Sequence, residues 1–267
     1  TPERYVYALD QLDDYLRGYN DGTSQLIESL RSIPPASQQE AIAAAFSEAN
    51  ATWGLQITRS DVSRYSGKGI KLAVLDTGLD LNHPDFAGRT IKSQSFLNGV
   101  PTAQDGHGHG THCIGTACGP KAPRTLPRYG VAYDTQIYAG KVLSDAGSGP
   151  QASILAGIEW AIREGCEIIS MSLGSGAVPG SGPDPAYERA GQVALARGTL
   201  IIAAAGNDSR RPMQIMPVGY PANSPSIMAV AAVDANLRVA PFSNGGLNPF
   251  GGAIDIAASG VNVYSSV

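Results

Sequence analysis

Ile70-Lys-Leu-Ala-Val-Leu-Asp-Thr-Gly78 is a run of strand length that stays apolar from Leu72 to Leu75 and then stops on an aspartate. Consecutive apolar residues without alternation suit a strand covered on both faces. Four further runs of this kind follow, at 136–143, 167–171, 199–204 and 227–233. Between them, helical spacing occupies 112–118, 152–164 and 187–197. Strands alternating with helices predict an α/β fold: a mostly parallel twisted sheet with helices on both faces. In such sheets ligands sit beyond the carboxyl ends of the strands, so the residues found there are the functional candidates.

The rest of the chain is compatible with that frame. Its 267 residues can bury a full core. Hydrophobic residues at 43% and charged ones at 16% describe a globular protein. A net charge of -4 argues against nucleic acid or an anionic membrane as the main partner. No apolar run reaches the ~20 residues of a membrane span. The sequence opens on Thr1 with no basic-then-apolar stretch, so any signal peptide is expected to have gone or never to have been there. The three cysteines, Cys113, Cys118 and Cys166, form no disulfide framework and are expected to be reduced, which leaves the compartment open.

Residues 1–48 read differently. Leu9, Leu12, Leu16 and Tyr19 keep helical spacing, and Leu26, Leu30 and Ile33 resume it after Asp21-Gly22. Pro34-Pro35 ends that run, and Ser37-Gln-Gln-Glu40 reads as a capping box opening a helix through Ala49. The expected organisation is a small helical N-terminal segment over 1–48 and a larger domain over 51–267. A prosegment remnant, an inhibitory arm and a plain extension all fit the former.

The strand ends carry the chemistry. Asp76-Thr-Gly78 alone is weak; it would suit an aspartic peptidase, but that chemistry needs two carboxylates and an all-β frame. Asp105-Gly-His-Gly-His-Gly-Thr-His-Cys-Ile-Gly-Thr116 gathers three of the four histidines within six residues. His107, His109 and His112 have spacing suitable for zinc, although no fourth ligand accompanies them.

Taken together, Val74-Leu-Asp-Thr-Gly78 and His109-Gly-Thr-His-Cys-Ile-Gly-Thr116 resemble the subtilase family, serine peptidases of the subtilisin and proteinase K type. The resemblance implies that Asp76 and His109 are two members of a Ser-His-Asp triad, and that Cys113 lies near the site without being its nucleophile. A serine hydroxyl needs an imidazole to take its proton, and the imidazole needs a carboxylate to hold its tautomer. Ile168-Ile-Ser-Met-Ser-Leu-Gly174 resembles the family's substrate-pairing strand, ending on Ser172, Leu173 and Gly174. Gly147, Ser148 and Gly149 match its opposite wall, so a polypeptide would enter in extended form as an added strand. Ala203-Ala-Ala-Gly-Asn207 resembles the oxyanion motif, with Asn207 donating its amide.

The same resemblance implies further subsites. Leu143, Ile154 and Leu173 match the fourth subsite, where an apolar residue is expected. Ala204, Gly206 and Gly219 match the walls of the first, with Asp208 at the rim; cleavage after large apolar residues is expected, and Asp208 would let a basic one reach it. No cofactor is needed for the chemistry, but calcium is implied as a structural ion. Ala222, Ser224, Ile227 and Asp255 match a weak site. Asp85 matches part of a strong one whose partner loop, 119–128, is here basic and rich in proline, a poor home for a hard cation.

One departure from the family is large. The motif that carries the family's serine follows everything above, whereas Gly260-Val-Asn-Val-Tyr-Ser-Ser-Val267 resembles only the strand before it. Ser265 and Ser266 lack the Gly-Thr lead, and Gly22-Thr-Ser24 precedes Asp76 against the family order. The serine segment is therefore expected beyond Val267, in the same chain or as a cleaved fragment; without it an apolar face would lie open. The leading function is serine endopeptidase. Alternatives are a non-catalytic peptide-binding relative, an acyl transferase (transpeptidase) on the same fold, and a metal hydrolase built on the histidines. A prosegment or inhibitor is an implied partner, and secretion an implied location, with the cytoplasm open because of the free thiols.

Overall fold

A computed structural model describes residues 46–246 and 252–267 of the chain. The predicted helical leader lies outside them except at its end. There the helix expected through Ala49 is absent: residues 48–50 form a turn. The chain is drawn into extended pairing instead, with Thr52 N–H donating to the Arg128 carbonyl (2.9 Å) and Arg128 N–H to that of Asn50 (2.8 Å). A short helix, α1 (Trp53–Ile57), follows.

Seven parallel strands form one sheet: β1 (Lys71–Asp76), β2 (Ile91–Ser95), β3 (Gln136–Lys141), β4 (Ile168–Met171), β5 (Leu200–Ala204), β6 (Met228–Val233) and β7 (Ile256–Ser259). Their spatial order is β2-β3-β1-β4-β5-β6-β7. The five predicted strands are present: β1 keeps its predicted length shifted one residue toward Asp76, and the other four are each one or two residues shorter than expected. The two edge strands, β2 and β7, are additional to the expected five; β2 exposes Lys92, Ser93 and Gln94 and so has no apolar signature. The strand resembled by 260–267 lies just before those residues, at β7.

Three longer helices connect the strands: α2 (His109–Cys118), α3 (Gln151–Arg163) and α4 (Pro185–Ala196). The unbroken apolar run of β1 is explained by its two faces. Leu72 and Val74 pack with Ile114 and Cys118 of α2, while Ala73 and Leu75 join Ile158 of α3 and Ala194 of α4 in the larger core. Alternation places Asp76 on the side of Leu72 and Val74, which is the α2 side. On that side α2 covers β1 and β3. The residues of β4 to β6 that face the same way (Ile168, Ser170, Leu200, Ile202, Met228 and Val230) are only half-buried.

Candidate active site

β1 enters with Asp76 opposite Lys141 of β3, and the chain leaves on Gly78 at a φ of 116°. A side chain at Gly78 would collide with the Ala103 carbonyl (2.3 Å). Its absence lets Leu79 and Asp105 exchange backbone bonds with this loop, Leu79 N–H to Ala103 O and Asp105 N–H to Leu79 O, each 3.0 Å. Asp105 thus comes to rest beside Thr77, whose hydroxyl donates to it at 2.9 Å.

The pair then builds the start of α2. Gly108 is its N-cap, at a φ of 94°, and has no side chain with which to cap. The exposed N–H groups of the first turn are satisfied from outside: Gly110 N–H by Thr77 Oγ1 (2.8 Å) and Thr111 N–H by Asp105 Oδ2 (2.9 Å). Asp105 also accepts the N–H of His107 and Gly108 and the Thr111 hydroxyl. Burial pushes its carboxyl upward, but the bonds from Thr111, Gly108 and His107 outweigh this and hold it well below the ordinary carboxylate range. Gly110 in turn abuts the Gly78 carbonyl, where a Cβ would stand 2.2 Å away. These two glycines let the helix start approach the strand end.

The consequence is the central contact: His109 Nδ1 and Asp76 Oδ1 are 2.7 Å apart. Asp76 is 1% exposed, whereas the His109 side chain is 42% exposed. Thr77 N–H also donates to Asp76 Oδ1 at 2.7 Å. The hydrogen bond to Asp76, and after it that to Cys113, whose Sγ lies 3.8 Å from Nδ1, raise the imidazole from 6.5 to about 10. With Nδ1 turned to a buried carboxylate, the other ring nitrogen is left to accept a proton from a neighbouring hydroxyl.

The three histidines do not converge. His112 turns away, its Nε2 3.0 Å from the Val263 carbonyl, while His107 and His109 meet edge to face with centroids 6.2 Å apart. Among the described residues the only cluster with ligand geometry is Asp76, His109 and Cys113, so the zinc reading of the histidine spacing is not supported. The cysteines are free, as expected, with Cys118 and Cys166 buried and their thiols raised by that burial.

A groove of about 580 Å³ runs from His109 to the start of α4. Gly147, Ser148 and Gly149 line it, as do Ser172, Leu173 and Gly174, together with Leu143 and Ile154. The β4 ladder ends at Met171, so Ser172, Leu173 and Gly174 continue the strand beyond the sheet. Gly147 closes a turn at a φ of 77°, and a side chain at Gly149 would strike the Val142 carbonyl (2.1 Å). At the next strand end, Gly219 N–H donates to Ala205 O (2.9 Å), and Ser175 pairs with Tyr220, so the predicted first-subsite segments are adjacent. Ala204 closes β5, and Asn207 stands three residues later, exposed. Asp208 is held by Asn244, through Asp208 N–H to Oδ1 (2.9 Å) and Nδ2 to Asp208 Oδ2 (3.0 Å).

Four residues that organise the site carried no role in the sequence reading. Asp105 and Thr77 are described above; an aspartate shortly before a helix start was the available signal for the first. Lys141 is fully buried, donating to the Thr77 carbonyl and to Asp145 (2.5 Å), and nothing in a lone lysine at a strand end announces that. Asn244 is the fourth. The Asp85 carboxylate accepts Arg124 N–H (2.9 Å) and the Tyr129 hydroxyl (2.6 Å), so protein donors occupy both its oxygens. Ser265 and Ser266 lie across α2 and donate to the carbonyls of His112 (2.8 Å) and Thr111 (3.0 Å).

Comparison with known proteins identifies the family. Residues 67–267 match the profile of the subtilase family. Subtilisin DY of Bacillus licheniformis is 36% identical over 217 residues, 80% of this chain and 74% of that protein. The alkaline protease of Alkalihalobacillus alcalophilus is 38% identical over the same share of this chain but 52% of its own length, so the chain spans about half of that relative. The crystal structure of a cold-adapted subtilisin-like serine proteinase is similar with a TM-score of 0.66 and 30% identity, over 81% of this chain and 75% of that one. A seven-stranded parallel sheet with a histidine-aspartate pair at its carboxyl edge thus has its relatives among enzymes of one kind, and the chain belongs to the subtilase family of serine endopeptidases.

Proposed function

We propose that this chain forms the greater part of a peptidase that cleaves extended polypeptides by covalent serine chemistry. His109 is the general base, Asp76 the carboxylate that orients it, and Asn207 the oxyanion donor. The observation that carries the reading is the 2.7 Å contact between a buried carboxylate and a half-open imidazole at the head of a groove. The nucleophilic hydroxyl attacks the scissile carbonyl as its proton passes to His109. The resulting imidazolium is stabilised by Asp76, and the developing oxyanion by the Asn207 amide. The same proton then goes to the leaving amine, and water completes hydrolysis by the reverse sequence.

The serine itself is proposed to lie on a segment that follows Val267. Ser265 and Ser266 already donate to α2 carbonyls. Beside His109, a cavity of about 760 Å³ opens between α2, Ser170 of β4 and Val263. It adjoins the half-buried apolar face of β4 to β6, where a helix carrying the nucleophile would find both its packing surface and its base. Secretion and a prosegment partner are part of the same proposal.

Calcium is proposed only as a structural ion at Ala222, Ser224, Ile227 and Asp255. These residues offer oxygen donors, as a hard cation requires. Asp255 Oδ2 accepts Ala229 N–H (2.7 Å), while among the described residues Asn223 Oδ1 and Nδ2 and Ser224 Oγ are buried without a partner. Those orphaned oxygens fit a cation, and no step of the chemistry passes through it.

A fluorophosphonate probe tests the function. A chain extended through the serine segment should be labelled on that serine in alkaline buffer, where His109 is neutral, with His109→Ala and Asp76→Ala both abolishing labelling there. Labelling that survives loss of His109, or a longer chain that takes no label and cleaves no peptide, would exclude the proposal in favour of a peptide-binding relative.

A further inference from the structure

We propose that the part of the groove beside the start of α4 selects a cationic side chain, lysine or arginine, at the fourth residue before the scissile bond, and that Asp184 selects it. The inference rests on the groove reading above and departs from the purely apolar residue expected there. Leu143, Ile154 and Leu173 are 8%, 6% and 8% exposed, and supply an apolar wall along which a long methylene stem can lie. Asp184 and Tyr187, at the start of α4, line the same groove. Asp184 is the only carboxylate lining the groove among the described residues, and no lysine or arginine lines it.

The carboxylate is fixed in place. Asp184 is the N-cap of α4, and its Oδ1 accepts the N–H groups of Ala186 (2.8 Å) and Tyr187 (3.3 Å). No donor among the described residues engages Oδ2, and the residue is half-buried. Burial, and after it the charge of Asp184, raise the Tyr187 phenol above its ordinary range, so that charge acts within the wall of the subsite. A neutral apolar side chain would leave this charge with only partial hydration, whereas an ammonium or guanidinium would meet it after an apolar stem. The pairing is partly solvated, so it should be modest and sensitive to salt.

Labelled peptides with a non-cleavable reduced bond, identical except for lysine, norleucine or glutamate at the fourth position, provide the test with the chain extended through the serine segment. By fluorescence polarisation at low salt, the lysine peptide should bind about tenfold more tightly than norleucine, a coupling of about 1.4 kcal/mol. Glutamate should bind least. Asp184→Asn, which retains the cap of α4, should bring lysine and norleucine to equal affinity; Asp184→Ser, another capping residue, serves if that variant does not fold. Equal binding of lysine and norleucine to the unmodified protein, or a lysine preference that survives either variant, would overturn the inference while leaving the groove intact. Failure of all three peptides to bind would overturn the groove reading as well.

Discussion

As the proposed general base, His109 must be neutral to accept a proton, yet its bonds to Asp76 and Cys113 hold the protonated ring up to about 10. Stability and activity therefore respond to pH with opposite signs. The protonated ring stabilises the fold fully below the ordinary value of 6.5, and that contribution is lost as pH rises through about 10. The base form appears over the same interval, so kcat/KM should rise through the alkaline range in a pH-rate profile. Asp76→Asn should move the His109 titration, followed by NMR of the ring, back toward 6.5, and lower kcat by about 10⁴ because the wrong tautomer is held. An unchanged His109 titration would show that Asp76 does not set it. Among the described residues nothing hydrogen-bonds to Asn207, which stands exposed after β5. Asn207→Ala should accordingly leave KM and thermal stability nearly unchanged while lowering kcat roughly 10²–10³-fold, the magnitude known for such an amide in a subtilisin. A comparable rise in KM instead would mark Asn207 as a substrate-binding residue.

At the level of elements, the start of α2 depends on groups outside the helix. Asp105 accepts three backbone N–H groups and two hydroxyls, and Thr77 satisfies a fourth N–H. Because the folded carboxyl lies below its ordinary value of 3.8, Asp105 stabilises the protein above that pH and loses the contribution only as pH falls far below it. Asp105→Ala should destabilise by roughly 1–3 kcal/mol, since buried donors lose their acceptor, and urea unfolding at neutral pH would measure it. The difference between variant and parent should shrink in strong acid. Equal stability at neutral pH would mean that water replaces the carboxylate. At its other end, α2 is crossed by the C-terminal residues: a Cβ at Gly115 would stand 2.0 Å from Ser266 Oγ. The motif glycines therefore have separate tasks, with Gly78 and Gly110 joining strand to helix and Gly115 admitting the chain end. Such a division could not be read from composition, because each task depends on a neighbour far away in the sequence.

On the scale of the whole molecule, the two faces of the sheet are unequally covered. α3 and α4 bury one side from β1 to β6, whereas α2 covers only β1 and β3 on the other. The half-buried Ile168, Leu200, Ile202, Met228 and Val230 should make the 267-residue chain bind the apolar dye ANS. A chain extended through the serine segment should bind markedly less, and equal fluorescence from the two would count against packing of that segment on this face. The central strands, α3, α4 and the Asp76, His109 and groove residues were legible in the sequence, because a strand buried on both sides must be apolar throughout and its polar end residue then stands out. The edge strands were not: β2 exposes Lys92, Ser93 and Gln94 and so has no apolar pattern, and β7, at four residues, is too short to stand out. Nor were Asp105, Lys141 and Asn244, whose significance is set by partners brought near only through folding. The opening run, 70–78, thus determined by itself that a buried parallel strand ends on an aspartate. Only the tertiary structure decided that this aspartate meets His109 at 2.7 Å, because that distance depends on two glycines and an external cap placing one helix start against one strand end.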